Sequence, residues 1–215
     1  MEKSSILTYN YDETTLYKDI EHALQVITEI SSAHEYELST SADCVKSCVI
    51  MAWHNLSVKD MTLVKKDDII KENDKFFLKH NEIKIPLEEV EYRVLKRLAG
   101  TDTYVHGKRT QRYVKSDYLL RKTIRGGILY QDEPMPTASI RRLVSNFNAR
   151  AAEFRRKFAL EILSYNGVFT KLGKVYKDKT KSVPYHIIRS WTGCGKGTAN
   201  QISKKYKIWQ ELYQD

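Results

Sequence analysis

Apolar positions along this chain recur mostly with helical periods, interrupted by one short stretch that alternates. From Asp12 the spacing of Leu16, Ile20, Ala23, Leu24 and Ile27 gathers an apolar face on a helix, with Asp12 or Thr14 as its cap. Residues 1–11 predict irregular or weakly extended chain, and 31–41 a polar connection. Residues 42–53 are apolar nearly throughout and predict a buried helix, after which 58–64 resume the period beyond a break at His54 and Asn55. At Asp67-Asp68-Ile69-Ile70 the period changes. Residues 76–80 and 82–86 alternate like two short strands joined by a tight turn at Asn81. Pro86 ends the second strand. Residues 87–98 then predict an amphipathic helix whose Glu88, Glu89 and Glu91 suit its positive end.

The second half returns to helical spacing. Gly126-Gly127, Pro134 and Pro136 mark loops, and 139–163 predict one long helix, or two with a bend, closed at Tyr165-Asn166-Gly167. Ile140, Leu143, Val144, Phe147, Ala151, Phe154, Phe158 and Ile162 form its apolar stripe. A basic loop over 171–181 follows. Pro184 can open a first helical turn, Gly193, Gly195 and Gly197 break that helix, and Thr198 is placed to cap another through Ala199, Ile202 and Tyr206. The expectation is a mainly α fold with a small antiparallel hairpin or sheet. Residues 1–41 would form an amino-terminal helix and linker, and 42–215 one binding domain.

Charge narrows the choice of partner. The formal net charge is +9 over 215 residues, but it is divided. Residues 1–98 hold 13 Lys/Arg against 18 Asp/Glu, a net of −5, and 99–215 hold 23 against 9, a net of +14. Within 106–125 lie seven Lys/Arg and a single acid, Asp117, interleaved with Tyr113 and Tyr118. Such asymmetry points to a polyanion, double-stranded DNA first and RNA as the lesser class. The candidate contacts are Lys108, Arg109, Arg112, Lys115, Arg121 and Lys122 in this run, and Arg141 and Arg142 on the long helix. Lys181, His186, Arg189, Lys196, Lys204 and Lys205 lie around the glycine-rich turn. Exposed N–H groups at such a turn and helix start are a natural seat for phosphate.

Other chemistries are poorly served. Gly193-Cys194-Gly195-Lys196-Gly197-Thr198 lacks the spacing of a nucleotide-binding P-loop and is closer to the hairpin of helix-hairpin-helix DNA-binding motifs. Cys44, Cys48 and Cys194 do not make a disulfide framework, and Cys44 and Cys48 share an apolar helix face as buried thiols. Asp67 and Asp68, adjacent on a strand, would point to opposite faces and so share no metal. No metal and no small-molecule cofactor is expected. Without a signal peptide or an apolar run of membrane length, the expected location is the cytoplasm.

The order helix, Asp68-Ile69, hairpin, Pro86-Leu87, helix and His186-Ile187-Ile188-Arg189 resembles the catalytic domain of tyrosine recombinases, the phage integrase family, over about residues 42–206. Where that family places an arginine three residues before a glutamate, this chain has Ser57 and Asp60. Lys79 stands at the place of the family's hairpin lysine, and His186 and Arg189 fit its His-x-x-Arg signature. The resemblance implies a recombinase-like fold, a DNA-facing surface and, in an active member, attack on a phosphodiester by Tyr206 or Tyr213 assisted by Lys79, His186 and Arg189. Ser57 supplies no guanidinium, and removing one such preorganised donor costs about 10²–10³-fold. The resemblance therefore implies a phage or mobile-element regulator, such as a repressor, that binds DNA without cleaving it. The alternative is an active integrase, or a fragment of one, that forms a covalent phosphotyrosine intermediate during DNA recombination and integration. The integrases' amino-terminal DNA clamp is expected to be missing, which makes a homo-oligomer the expected way to hold DNA.

Overall fold

Residues 40–53 form a helix that leaves almost nothing to solvent, and the other elements are arranged around it. A computed structural model describes residues 11–34, 40–106, 108–124, 132–178 and 182–214. In chain order come α1 (Ile20–Ala33), α2 (Thr40–Trp53), α3 (Val58–Leu63), β1 (Ile69–Glu72), β2 (Lys75–His80), β3 (Ile83–Leu87) and α4 (Glu89–Gly100). There follow β4 (Thr103–His106), β5 (Arg109–Arg112), α5 (Thr137–Ala151), α6 (Leu160–Val175), α7 (Tyr185–Thr192) and α8 (Lys196–Tyr213). The fold is mainly helical with two small antiparallel sheets, β1-β2-β3 and β4-β5.

A helix that is apolar all round must be covered on every side. Ala42, Val45, Val49, Ile50 and Met51 of α2 are all buried, and α1, α4, α5, α6 and β4 pack against it. Cys44 and Cys48 lie in the same core, where burial pushes the Cys44 thiol up to about 11 and Cys48 further still. Thiols held neutral in this way are packing groups. The first core cluster extends from α1 through α2 to the sheet, α4 and α5; a second joins Leu16 and α6 to α7 and α8. Residues 11–34, expected to belong to a separate amino-terminal helix and linker, thus pack into the same two clusters as the remainder.

The expected helix from Asp12 does not form. The Asp12 side chain instead accepts from Thr14 N at 2.9 Å, making a local turn, and α1 starts at Asp19, whose carboxylate accepts from His22 N at 2.8 Å. Leu16 and Tyr17 are fully buried on an irregular strap whose backbone bonds elsewhere. The buried Asn166 accepts from Tyr17 N at 2.7 Å and donates to Thr15 O at 3.2 Å. Trp209 Nε1 donates to Tyr17 O and the Tyr213 hydroxyl to Leu16 O, each at 2.8 Å. Leu16 and Ile20 are four apart and both buried, which imitates one helix face, yet they fill different clusters.

The long apolar pattern from 139 onward resolves into two helices. Arg155 takes the left-handed conformation (φ 52°), and Asn148 stabilises the turn by accepting from Phe158 N at 2.7 Å and donating to Phe158 O at 2.9 Å. Gly167 does not close α6, which runs on to Val175 through part of the expected basic loop. Its role is close approach: a Cβ there would lie 2.1 Å from the Trp53 carbonyl oxygen. Gly193 does terminate α7 in the left-handed region (φ 67°), but Gly195, not Thr198, is the N-cap of α8.

These two kinds of glycine predict opposite results. Gly167→Ala should destabilise by about 3 kcal/mol, because the obstacle is backbone that α2 cannot move cheaply. Gly197→Ala, inside α8 with open space around it, should stabilise by about 0.5–1 kcal/mol. Urea unfolding midpoints of the two variants and the parent protein would check both signs.

Candidate nucleic-acid interface

The start of α2 positions the most basic part of the chain. Thr40 Oγ1 donates to Thr103 O at 3.0 Å and accepts from Val105 N at 3.3 Å, so β4 is docked by its backbone. Strand alternation then sorts the side chains. In the β4–β5 register Tyr104 pairs with Gln111 and His106 with Arg109, which puts these four on one face, while Arg112 pairs with Thr103 on the other. The first face looks across a groove to Leu143, Asn146 and Arg150 of α5. Two adjoining cavities, about 320 and 300 Å³, share Tyr104, Gln111, Leu143 and Asn146. Around them stand His106, Arg109, Arg121, Lys122, Arg142 and Arg150, with no Asp or Glu among the described lining residues. Burial first, then Arg150 and Arg109, holds the His106 imidazole below its usual range.

Ion pairs among the described residues are concentrated in the first half, although Lys59, Lys65, Lys75, Lys79 and Lys96 there are exposed without one. In the first half Lys71 pairs with Asp74, Lys84 with Glu72, Arg93 with Glu89 and Arg97 with Asp43, at 2.5–2.8 Å. In the second half the structure leaves Lys108, Arg109, Arg112, Lys115, Arg141 and Arg142 exposed, without a carboxylate partner among the described residues. Lys122 is the exception, 2.8 Å from Glu133. Arg121 is a correction to the expected set of surface cations. It is only 3% exposed, its Nη2 donates to Leu98 O and Thr101 O at 2.7 Å, and its guanidinium lies over the Tyr113 ring at 4.4 Å.

A second cationic feature is the α7–α8 turn. His186 and Arg189 are exposed one turn apart on α7, and Arg189 Nε donates to Cys194 O at 3.2 Å, bracing the turn. Lys196 lies over the Tyr185 ring at 5.1 Å and Lys205 over Tyr11 at 4.7 Å, while Lys204 is exposed. Lys181 falls outside the described residues. Lys79 is exposed on β2, opposite Lys84 in the ladder and two residues before the turn at Asn81.

Among the described residues no hydrogen bond or ion pair joins Lys79, His186, Arg189, Tyr206 and Tyr213 to one another. Lys79 belongs to the sheet beside α4, whereas His186 and Arg189 belong to α7, which packs on α6 and α8. Tyr206 is 1% exposed, donates to Tyr176 O at 2.9 Å and is pushed up to about 12 by burial. The Tyr213 hydroxyl is committed to Leu16 O, and burial likewise raises it. Neither is poised as a nucleophile, which requires an accessible oxygen and a nearby base. Ser57 and Asp60 instead hold a helix end together. Ser57 caps α3, accepting from Asp60 N at 3.2 Å, and Asp60 Oδ2 accepts from Ser57 N at 3.1 Å.

His106, Gln111 and Arg150 were not among the sequence candidates. Two alternating four-residue runs flanking Gly107-Lys108 are a hairpin signal that would have paired His106 with Arg109. Nothing in the sequence alone announces that α5 lies opposite.

The capping box predicts a pH effect. Hydrogen bonds from Ser57, with smaller help from His80 and Lys59, hold the Asp60 carboxyl below its ordinary range. Its stabilisation is thus present above the unfolded carboxyl pKa near 3.9 and is lost as pH falls through the lower folded value. Ser57→Ala should raise the Asp60 pKa, measured by carboxyl NMR titration, and cost about 1 kcal/mol at pH 7.

No family model matches the chain, and no curated protein matches it.

Proposed function

We propose that this chain is a double-stranded-DNA-binding protein on a recombinase-like scaffold, acting as a phage or mobile-element regulator without strand cleavage. The observation that carries this reading is the groove between the β4–β5 hairpin and α5, lined by cations with no Asp or Glu among the described lining residues. Arg109 and Arg112 of the β4–β5 hairpin and Arg141 and Arg142 of α5 are also exposed without a carboxylate partner among the described residues, in the strongly basic half of the chain. Uncompensated Lys and Arg on an ordered surface cost self-repulsion unless a polyanion meets them. Phosphates fit that surface, and each contact made releases a condensed counterion. The braced α7–α8 turn adds Lys196, Arg189 and the backbone N–H groups opening α8, a second seat for a phosphate. The occupied hydroxyls of Tyr206 and Tyr213, and Ser57 as a helix cap, support binding without phosphodiester attack.

Affinity for duplexes of random and source-genome sequence, measured across a salt series, tests the proposal. Binding should weaken steeply with salt, with one genomic fragment preferred. Arg112→Gln and Lys196→Gln should each weaken all sequences alike and reduce the magnitude of the log–log salt slope by about 1. Absence of binding at about 50 mM salt would overturn the proposal. A covalent adduct trapped on a nicked suicide substrate, and lost in Tyr206→Phe or Tyr213→Phe, would replace it with an active recombinase.

A further inference from the structure

The cavity of about 300 Å³ beneath β5 has features that contact with a duplex surface does not require. At its base is Arg121, a guanidinium almost wholly buried, with no carboxylate bonded to it among the described residues. Buried charge is costly unless it is paired or hydrogen-bonded throughout. Two carbonyls at the end of α4 take Nη2 and the Tyr113 face takes the plane, but Nε has no partner among the described residues. Lys122, which also pairs with Glu133, and Arg142 stand on the same cavity, and Gln111, Ser139 and Asn146 add neutral polar groups. The rest of the wall is Cys44, Tyr104, Tyr113, Met135 and Leu143, apolar or aromatic, with Thr123 as a further polar group. The cavity therefore combines a cationic end, with an unsatisfied buried donor, and an apolar wall with a ring face.

We propose that this cavity binds a free nucleoside monophosphate, its phosphate between Arg121, Lys122 and Arg142 and its base against Leu143, Met135 and the hairpin rings. A planar guanidinium and a second arginine suit a dianion with several acceptor oxygens. The volume suits one nucleotide and excludes a duplex. Tyr113 also ties the pocket to the core, since its hydroxyl lies 3.2 Å from Cys44 Sγ on α2. The site shares Arg142 with the proposed DNA surface, while Arg112 and Lys196 lie outside it.

Calorimetric titration of the full chain with each deoxynucleoside 5′-monophosphate, the parent nucleosides and a short single-stranded oligonucleotide tests this. At least one monophosphate should saturate with Kd below about 1 mM, with its nucleoside about tenfold weaker or more. Arg142→Gln, on an exposed position, should weaken that monophosphate about tenfold, whereas Lys171→Gln, an equal charge loss on α6, should change it less than about twofold. Arg121→Lys keeps the charge but loses the fork and should also weaken binding. Failure of every monophosphate to saturate, or equal effects of Arg142→Gln and Lys171→Gln, would overturn the proposal. Arg142-dependent binding of the oligonucleotide alone would also overturn it, assigning the cavity to a nucleic-acid strand and leaving the DNA reading standing.

Discussion

The contact of α6 with the end of α2 governs the rest of the structure. Because α2 is buried everywhere except at Asp43 and Lys46, it must be covered by neighbours on nearly every side, and α6 comes so close that the Trp53 carbonyl occupies the space of a side chain at Gly167. That approach sets α6 in place, and α6 in turn supports α7 and α8 on its far side. At its other end α2 presents Thr40 to the edge of β4. One buried helix thus holds both cationic features to a common frame. Where the chain leaves α2, His54 Nε2 meets the buried Glu91 Oε1 at 2.8 Å and fixes the start of α4.

Charge is organised by the same frame. On the sheet β1-β2-β3 and α4, Lys71, Lys84 and Arg93 sit in local ion pairs, while Lys75, Lys79 and Lys96 are exposed without one among the described residues. The hairpin β4–β5 and α5 hold Arg109, Arg112, Arg141 and Arg142 without carboxylate partners among the described residues, on elements that pack against α2. Fixed side chains of one sign on a rigid base create a potential that loose cations on a disordered tail would not hold in register. Arg121 differs from both groups, its charge being turned inward against the end of α4 and the Tyr113 ring.

What could be read in the sequence was whatever depends on local period. Residues 42–53, too apolar to face water, became α2, and the alternation around Asn81 became β2 and β3 with Asn81 in the left-handed region. Non-local competition spoiled the rest. Asp12 caps no helix because the strap behind it gives its backbone groups to Asn166, Trp209 and Tyr213, residues whose proximity no local pattern encodes. Gly167 looked like a stop and is a contact. Arg121 had the composition of a surface cation and is buried, because an arginine's position depends on which carbonyls lie behind it. Of the candidate interface, the density of cations was legible and the groove was not, since its second wall comes from a helix beginning 25 residues after β5 (Arg112 to Thr137).

The strap also bears on how the molecule is made. Its backbone partners lie 149, 151, 192 and 197 residues further along the chain. During synthesis the first core can begin to assemble from α1, α2 and the sheet, but Leu16 and Tyr17 must wait, unsatisfied, until α6 and then α8 have emerged. Contacts of such separation form late and leave apolar chain exposed in the interval. A segment translated before α1 is therefore among the last of these elements to be closed, and α8 serves as the latch of the fold.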